Sequence, residues 1–309
     1  MRRLPSPWVP DVAERLRALT SLRPAFVQLE HTLGGVYVGC LRAPTILSLH
    51  NVDSEMLRGV ARGERRFTSA WVHAWGRWQA MRATERRVLP GADLVLCVSR
   101  NDAHHLATRA NVQLIPNGVD EDLFELPAQP PDGETLLFFG QYGYRPNALG
   151  IARFLEEGWS MLATARPHAR LRLVGRDLST ELEALARRQE RVDVVGLVAD
   201  VKTELARARL VLVPLWQGGG TRLKVLEALA AARPVVGTPL GVDGIGFKHG
   251  RHGLVAETPD GLAAEAARLL GDEAQRRAMA ADGRRLASKF GWQEVTRPLR
   301  NIYGRYIES

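Results

Sequence analysis

Short runs of apolar residues alternate along the chain with longer stretches in which apolar residues recur every three or four positions. Runs of about four to eight apolar residues are typical of buried strands, and the periodic stretches are typical of amphipathic helices. In the second half the alternation is regular, and it predicts strands at 135–139, 171–175, 192–196, 210–215, 233–238 and 253–256. Helices are predicted at 147–165, 180–189, 201–208, 221–232, 259–270 and 272–288. This order predicts a parallel sheet with right-handed crossovers.

The first half is less regular. Strands are predicted at 25–30, 44–50, 92–99 and 113–116, with a helical region at 53–89 that is broken near Gly59 and Gly63. Trp71, Trp75 and Trp78 recur in that region at helical spacing, which favours core or interdomain packing over a ligand site. A proline-rich segment at 120–132 predicts the domain boundary. We therefore expect an α/β protein with domains at 1–122 and 123–291 and a terminal helix at 292–309.

Composition narrows the class of protein. A chain of 309 residues can form two cores, and no apolar run approaches the roughly 18 residues of a membrane span. Cys40 and Cys97 are too few for a disulfide framework, so we expect buried free thiols in a reducing cytoplasm. The net charge of +8 suits a phosphate-bearing ligand and weak contact with an anionic membrane. The arginines are spread along helices, so nucleic acid is the least favoured partner.

The most informative stretch is Q-G-G-G-T-R-L-K-V-L-E-A-L-A-A-A at 217–232, between two predicted buried strands. Gly218, Gly219 and Gly220 would let a ligand approach the backbone, and the helix that follows favours an anion at its N-terminus. Arg222 and Lys224 add two cations; both could be solvated surface charges, although lysine is rare in this chain, which argues mildly against that alternative. Four residues of this helix are predicted to face inward: Leu223, Leu226, Leu229 and Ala230.

The run from Gly218 to Gly244 resembles the donor-binding signature of retaining glycosyltransferases of the family 4 (group 1) type, in the branch that reads G-x-G-T-R-L-K-x-x-E-A-x-A. The resemblance implies the GT-B fold, with two Rossmann-like parallel-sheet domains facing a cleft. It assigns donor binding to Gly218, Gly219, Gly220, Thr221, Leu223 and Glu227, with Glu227 on the nucleotide ribose. Much of the family has a second glutamate eight positions earlier, where this chain has Gly219.

Three other stretches resemble elements of the same family. The loop Gly140–Asn147 resembles its G-x-x-x-x-x-P-N loop, so Arg145 is expected on the diphosphate, and Asn147 is either a site residue or a helix N-cap. The loop after Gly196 resembles the one that receives the base near Val198; alternatively it is a plain turn capped by Asp200. H-N-V-D-S at His50 resembles the element facing the donor sugar, although a lone histidine is often structural. Gly140, Gly175, Gly196 and Gly218–Gly220 are expected to converge at one sheet edge.

These observations and the resemblance favour a glycosyltransferase that moves a sugar from a nucleotide-diphosphate sugar to a glycan or lipid-linked acceptor. The resemblance implies a setting in bacterial surface polysaccharide synthesis. His50, Arg222 and Lys224 are the predicted catalytic residues, with no metal and no cofactor besides the nucleotide sugar as co-substrate. We expect a cytoplasmic protein with peripheral contact to the inner membrane. The alternatives are a degenerate, non-catalytic nucleotide-sugar-binding protein and a nucleotide-sugar epimerase. The first half lacks the opening strand and glycine turn of the family, which predicts an exposed sheet edge and weak turnover.

Overall fold

The computed structural model describes residues 8–63, 65–128, 133–218 and 222–308. These residues form two compact units. The first unit contains the chain up to Pro116 together with Val295 and the residues that follow it, and the second contains Asn117–Gly218 and Arg222–Glu294. Each unit is built on one parallel β-sheet, of four strands in the first and six in the second. The predicted α/β class and the two Rossmann-like sheets are confirmed.

The first sheet has the order β1-β2-β3-β4, with every pair parallel. Its strands are β1 (Val27–Glu30), β2 (Thr45–Leu49), β3 (Leu94–Cys97) and β4 (Val112–Leu114). The accompanying helices are α1 (Pro10–Thr20), α2 (His31–Gly34), α3 (Asp53–Gly63), α4 (Ser69–Val88) and α5 (Arg100–Leu106). The predicted break near Gly59 is wrong, because α3 continues through that glycine and ends at Gly63.

Both faces of the two central strands are buried, which explains why β2 and β3 are largely continuous apolar runs, whereas the edge strands β1 and β4 alternate apolar and polar residues. Leu47, Val95 and Cys97 pack on one face, and Ile46 and Leu96 pack on the other. Cys97 is a free thiol, and burial raises its pKa to about 11. The thiol is therefore protonated and unreactive at neutral pH.

The tryptophan stripe of α4 is not in the core. Trp75 is 44% exposed, and Trp71 and Trp78 are only partly buried. The inward positions of α4 are Ala74, Glu85 and Val88 instead. Of the two predicted roles, core or interdomain packing, core packing is therefore wrong for this stripe, because none of the three rings is buried.

The second sheet has the order β10-β9-β8-β5-β6-β7, and every pair in it is parallel. Its strands are β5 (Glu134–Phe139), β6 (Ala169–Val174), β7 (Val192–Gly196), β8 (Leu210–Val213), β9 (Val235–Gly237) and β10 (Gly253–Val255). From β5 the chain runs outward to β6 and β7, and it then returns to β8 on the other side of β5. The strand order therefore reverses between β5 and β8. In open parallel sheets, ligands bind at the carboxyl ends of the strands beside such a reversal.

Helices cover both faces of this sheet. They are α6 (Arg145–Glu157), α7 (Trp159–Ala165), α8 (Thr180–Arg187), α9 (Val201–Arg207), α10 (Leu223–Ala230), α11 (Pro259–Gly271) and α12 (Glu273–Ala287), and the last helix of the chain is α13 (Trp292–Ile307). The single helix predicted at 147–165 is wrong, because the chain breaks at Gly158. A Cβ there would lie 2.7 Å from the carbonyl oxygen of Pro259.

The inward face predicted for α10 is correct for three residues and wrong for one. Leu226, Leu229 and Ala230 are fully buried, whereas Leu223 is 39% exposed at the first position of the helix. Val225 and Ala228 are also fully buried, so the buried face is wider than the periodicity predicted. This burial anchors the helix that carries Lys224 and Glu227.

Helix α13 ends in the first unit. Its Ile302 packs with Ile46 and Leu94, and Phe26 stacks on Tyr303 with ring centroids 4.8 Å apart. In the part of the chain that the structure describes, no helix has the length and apolar content needed to cross a bilayer.

Candidate functional site

Two glycines at the carboxyl ends of β5 and β6 make room for a site beside the strand reversal. Gly140 and Gly175 have φ angles of +150° and +139°, which L-residues rarely adopt. A Cβ on Gly175 would lie 1.8 Å from the carbonyl oxygen of Gly140, and one on Gly140 would lie 3.0 Å from the ammonium of Lys224. The predicted meeting of these glycines at one sheet edge is therefore observed, and any side chain would close the space.

Lys224 and Asn147 are joined at this edge. The Lys224 ammonium donates to Asn147 Oδ1 at 2.7 Å, and Asn147 Nδ2 donates to the backbone oxygen of Gln141 at 2.8 Å. Asn147 is only 6% exposed and is the third residue of α6, whose N-cap is Tyr144. The interpretation of Asn147 as a helix N-cap is therefore wrong; its side chain holds the lysine.

The environment of Lys224 disfavours its charge. Burial and the neighbouring Arg222 lower the pKa of the Lys224 ammonium to about 7, and Glu227 offsets only part of this effect. The ammonium also lies 4.5 Å from the ring centroid of Phe138, a cation–π contact that partly replaces lost hydration. Near neutral pH this lysine therefore exchanges between charged and neutral forms, and a bound anion would favour the charged form.

Arg222 is a second cation of this site. It is 7% exposed; its Nε donates to the backbone oxygen of Leu240 at 2.9 Å, and its Nη2 lies 3.4 Å from that of Gly218. Burial lowers the pKa of the guanidinium, whereas nearby Tyr144 and Asp243 raise it. A guanidinium remains protonated in proteins, so this is a fixed buried cation. The alternative interpretation of Arg222 and Lys224 as solvated surface charges is wrong.

The glycine-rich turn is described only up to its first glycine. Gly218 has a φ of +116°, and a Cβ there would lie 2.8 Å from the hydroxyl oxygen of Tyr144 and 3.2 Å from the ring of Pro146. The end of the β8 loop therefore packs on the β5 loop. Gly219, Gly220 and Thr221, all predicted as site residues, lie outside the described residues.

Glu227 lies about one turn beyond Lys224 on α10 and is half-buried. Burial raises the pKa of its carboxyl group, Lys224 lowers it, and Asp120 raises it. A carboxylate in this position has lost part of its hydration. It can therefore form strong hydrogen bonds with neutral hydroxyl donors such as those of a ribose.

The remaining predicted residues of the second unit lie at the same sheet edge or next to it. Arg145 is an exposed residue that begins α6. Val198 follows β7, and its side chain packs on the apolar cluster that contains Phe139 and Val174. Asp200 caps α9 by accepting from the backbone N–H of Lys202 at 2.8 Å. The N-cap interpretation of Asp200 is therefore correct, and it is compatible with a ligand at the Val198 backbone.

His50 belongs to the first unit, at the carboxyl end of β2, and it is not a lone histidine. Its Nε2 lies 3.2 Å from Glu30 Oε2, and its ring centroid lies 4.7 Å from that of His31. Gln28 donates to the other oxygen of Glu30 at 2.5 Å and accepts a hydrogen bond from the hydroxyl of Tyr303. A chain of hydrogen bonds therefore leads from α13 to the histidine.

The Glu30 carboxylate is held in its charged form. Burial alone would raise its pKa, but hydrogen bonds from Gln28, Ser48 and His50 outweigh burial and lower it. Sequence reasoning missed Glu30 and His31 as candidate residues. Their position at the end of a predicted strand could have indicated them. The parallel register pairs Glu30 with Ser48 and so brings the end of β1 to His50. Among the described residues, no three His, Cys, Asp or Glu side chains are grouped so as to hold a metal ion.

Family comparisons cover most of the chain. Residues 133–272 match the model described as glycosyl transferases group 1, and residues 2–123 match the model described as glycosyltransferase family 4. The first curated relative, the D-inositol 3-phosphate glycosyltransferase of Kineococcus radiotolerans, is 31% identical over 266 residues. That alignment covers 73% of this chain but only 60% of the relative, which is less than two thirds of its length. An uncharacterised glycosyltransferase of Methanocaldococcus jannaschii is 21% identical to this chain, and the alignment covers 88% of this chain and 71% of that relative.

Solved structures with the GT-B fold resemble the whole chain. Sucrose-phosphate synthase from Thermosynechococcus elongatus superimposes with a TM-score of 0.75 at 22% identity, over 97% of this chain and 78% of that one. Anabaena HepE, solved in complex with UDP and glucose, superimposes with a TM-score of 0.71 at 17% identity, over 95% of this chain and 81% of its own. At these identities the likeness establishes the fold.

Proposed function

Because residues 133–272 and 2–123 match the models of group 1 and family 4 glycosyltransferases, we propose that the chain transfers a sugar from a nucleotide-diphosphate sugar to a glycan or lipid-linked acceptor. The observation that supports this proposal most strongly is the pair of cations, buried Arg222 and half-buried Lys224, beside the strand reversal of the second sheet. Withdrawing two neighbouring like charges from water is costly unless an anion joins them. A diphosphate is the ligand whose charge matches this pair.

In the proposed complex, the diphosphate lies over the glycine-lined edge. Gly140 and Gly175 leave the backbone open there, and Arg222 and Lys224 supply positive charge from the start of α10. We place Gly218, Gly219, Gly220 and Thr221 at the phosphates by their motif, with Leu223 beside them. Arg145, on the neighbouring loop, would add a bidentate contact to a phosphate oxygen.

Glu227 would accept hydrogen bonds from the ribose hydroxyls, and the backbone around Val198 would meet the base. Gly219 takes the place where many family members have a glutamate, so fewer side-chain contacts would reach the donor sugar. His50, oriented by Glu30, would hydrogen-bond the sugar or the acceptor hydroxyl.

The proposed reaction retains the configuration of the anomeric carbon. The bond between that carbon and the phosphate oxygen breaks first, and the nucleoside diphosphate leaves with the electron pair. The acceptor oxygen then attacks from the same face, and its proton passes to the departing phosphate oxygen. Arg222 and charged Lys224 stabilise the negative charge that grows on the phosphate, which is the form of catalysis expected from prepositioned cations. In this scheme the two side chains provide the charge compensation without a metal ion.

The printed names of similar proteins suggest where to begin a substrate search. HepE was solved with UDP and glucose, and the Kineococcus relative is named for a phosphorylated inositol acceptor. We therefore propose UDP-hexoses as the first donors to test. We also propose a cytoplasmic setting, in the synthesis of a bacterial surface polysaccharide, with peripheral contact to an anionic membrane.

A second candidate is a nucleotide-sugar-binding protein without turnover, and Gly219 favours it.

A direct assay distinguishes the two candidates. Thermal-shift screening against UDP, GDP, ADP and their sugars would identify the donor, since bound ligand raises the melting temperature by mass action. Release of the nucleoside diphosphate from that donor is then measured in wild type, Arg222→Ala and Lys224→Ala, with Lys289→Ala as an exposed lysine control. Turnover that falls at least about a hundredfold in the two site variants only, in line with losing a charge-stabilising group, supports the enzyme. Donor binding without turnover in wild type supports the second candidate.

A further inference from the structure

The first unit carries a surface of aromatic and arginine side chains that the proposed reaction does not use. Helices α3 and α4 leave between them an open groove of about 370 Å³, lined by Arg58, Arg62, Arg66, Trp71, Trp75 and Trp78. Phe67 lies at the start of α4 beside the groove and is 84% exposed. We define the aromatic–arginine surface as Arg62, Arg66, Phe67, Trp71, Trp75 and Trp78.

Three rings of this surface, Phe67, Trp71 and Trp75, form a continuous row. Phe67 and Trp71 have centroids 5.7 Å apart, and Trp71 stacks on Trp75 at 6.2 Å. The guanidinium of Arg66 lies 5.8 Å from the Phe67 centroid, and that of Arg82 lies 5.9 Å from the Trp78 centroid. Exposed apolar rings that are grouped in this way mark a surface that is covered in use.

The backbone holds Phe67 outward. This residue has a φ of +66°, a conformation that costs about 1–2 kcal/mol for a residue with a side chain. The next residue, Thr68, is the N-cap of α4 and accepts a hydrogen bond from the backbone N–H of Trp71 at 3.1 Å. The exposed ring is therefore fixed at a helix start rather than being part of a loose loop.

Charge accumulates on the same two helices. Residues 53–88 contain eight arginines and four acidic residues, so this segment carries half of the net charge of +8. One acid, Glu85, is buried against Ser54, and another, Glu55, pairs with Arg58 at 3.2 Å. Among the described residues, Arg62, Arg65 and Arg66 form no ion pair with a carboxylate. The surface is thus a positive one with exposed aromatic rings.

We propose that the aromatic–arginine surface docks on the headgroup region of an anionic phospholipid bilayer. Arginine compensates anionic headgroups, and tryptophan and phenylalanine favour the boundary between headgroups and acyl chains. A soluble polyanion would satisfy the arginines but would offer no apolar partner for the exposed Phe67 ring. A base or sugar stacked on the row would have to compete with the stacking of Trp71 on Trp75. This proposal rests on the membrane contact proposed above and names the surface that would form it. Docking would not require turnover, so the two can be tested separately.

Vesicle flotation tests the proposal. Wild type is expected to bind vesicles that contain about one third phosphatidylglycerol and to stay unbound with neutral phosphatidylcholine vesicles, with binding that weakens as salt is raised. A basic side chain near an anionic surface strengthens binding about fivefold, so Arg62→Glu/Arg66→Glu should lower the partition coefficient by at least about tenfold. Phe67→Ala/Trp75→Ala should also weaken binding. Both residues are exposed, so neither change should impair folding.

The matched control is Arg188→Glu/Arg300→Glu, which changes the net charge equally through exposed arginines elsewhere. The partition coefficient of this control should fall by less than about threefold. Acyl chains brominated near the glycerol should quench the tryptophan fluorescence of bound wild type. Equal losses in the two charge-reversal variants, or binding to heparin or DNA without binding to vesicles, would overturn the proposal. Retained nucleotide binding in Arg62→Glu/Arg66→Glu shows that a loss of docking is separate from the donor site.

Discussion

The ammonium of Lys224 lies 2.7 Å from the side-chain oxygen of Asn147, which is 77 residues earlier in the chain. This contact joins the first turn of α10 to the first turn of α6, on the two sides of the strand reversal. It supplies one hydrogen bond to a lysine whose burial favours the neutral form. An anion that arrived at this site would favour the charged form of the lysine.

Nucleotide binding should take up a proton. The pKa of Lys224 is about 7 in the free protein, and a phosphate contact raises it. Below pH 7 the lysine is already charged, so affinity should change little with its titration. Above pH 7 the neutral form dominates in the free protein, and affinity should fall by up to about tenfold per pH unit until the pKa of the complex is reached. Calorimetry of UDP binding at pH 6 to 9 measures this, and a constant dissociation constant above pH 7 would contradict it.

Asn147→Asp should flatten this pH profile. A carboxylate beside the ammonium raises the pKa of Lys224, so the lysine stays charged over the working range. Calorimetry in buffers of different ionisation enthalpy should then show proton uptake at pH 8 near one per site in wild type and near zero in the variant. Asn147→Leu keeps the burial but removes the acceptor, so its proton uptake should persist. An unchanged uptake in Asn147→Asp would show that the contact does not control the charge.

Lys224→Met should separate stability from function. The pKa of Lys224 is lower in the folded protein than in the unfolded chain, so the lysine destabilises the fold at any pH below its unfolded value of about 10.4. Removing the buried charge should leave the melting temperature of the free protein equal to wild type or about 2–4 °C higher, while nucleotide binding is lost. Scanning calorimetry with and without UDP measures both effects. A melting temperature well below wild type would contradict the account.

Gly175→Ala should damage the site by steric clash. A Cβ there would lie 1.8 Å from the carbonyl oxygen of Gly140, so the β5 loop must move. Gly196→Ala is the matched control, because Gly196 also has a positive φ but nothing lies within 4 Å of its Cβ. The control should lose about 1–2 kcal/mol of unfolding free energy and keep nucleotide affinity. Gly175→Ala should lose more stability and at least about tenfold in affinity. Urea titration and calorimetry measure the two effects, and equal behaviour of the two variants would contradict the role of close packing.

Glu30→Gln should act through His50. The carboxylate accepts a hydrogen bond from the imidazole and so orients the ring. The variant should lower kcat by about tenfold while leaving nucleotide affinity unchanged. Gln28→Leu, which removes only the next link in the hydrogen-bond chain, should have a smaller effect on kcat. An unchanged kcat in Glu30→Gln would show that the pair is only a surface contact.

The order of strands and helices could be predicted from the sequence because apolar periodicity directly reports which faces are buried. Helix ends were harder to predict, since the break at Gly158 lies where the carbonyl oxygen of Pro259, about a hundred residues later, leaves no room for a side chain. The tryptophan stripe was misinterpreted for a related reason. Periodicity shows that the three rings share a face of α4, but it does not show which face meets the core.

The parts of the candidate site that are adjacent in sequence could be predicted, whereas contacts between residues far apart in sequence were missed. The glycine-rich turn, Arg222 and Lys224 stand together in sequence, so their shared location follows from one strand and one helix. The contact of Lys224 with Asn147 depends on β5 and β8 lying side by side, and that of Glu30 with His50 depends on the parallel register of β1 and β2. The residues around each strand do not determine which strand lies beside it. The lowered pKa of Lys224 follows from those tertiary contacts as well.

The most direct test of the central claim is calorimetric titration of wild type, Arg222→Ala and Lys224→Ala with UDP and with uridine, and with the guanosine and adenosine pairs if UDP is not the nucleotide. If a diphosphate lies between Arg222 and Lys224, wild type should bind the diphosphate at least about a hundredfold more tightly than the nucleoside, and each variant should lose most of that difference while its nucleoside affinity stays the same. Equal affinity for nucleoside and diphosphate in wild type, or variants that bind the diphosphate as wild type does, would contradict the account.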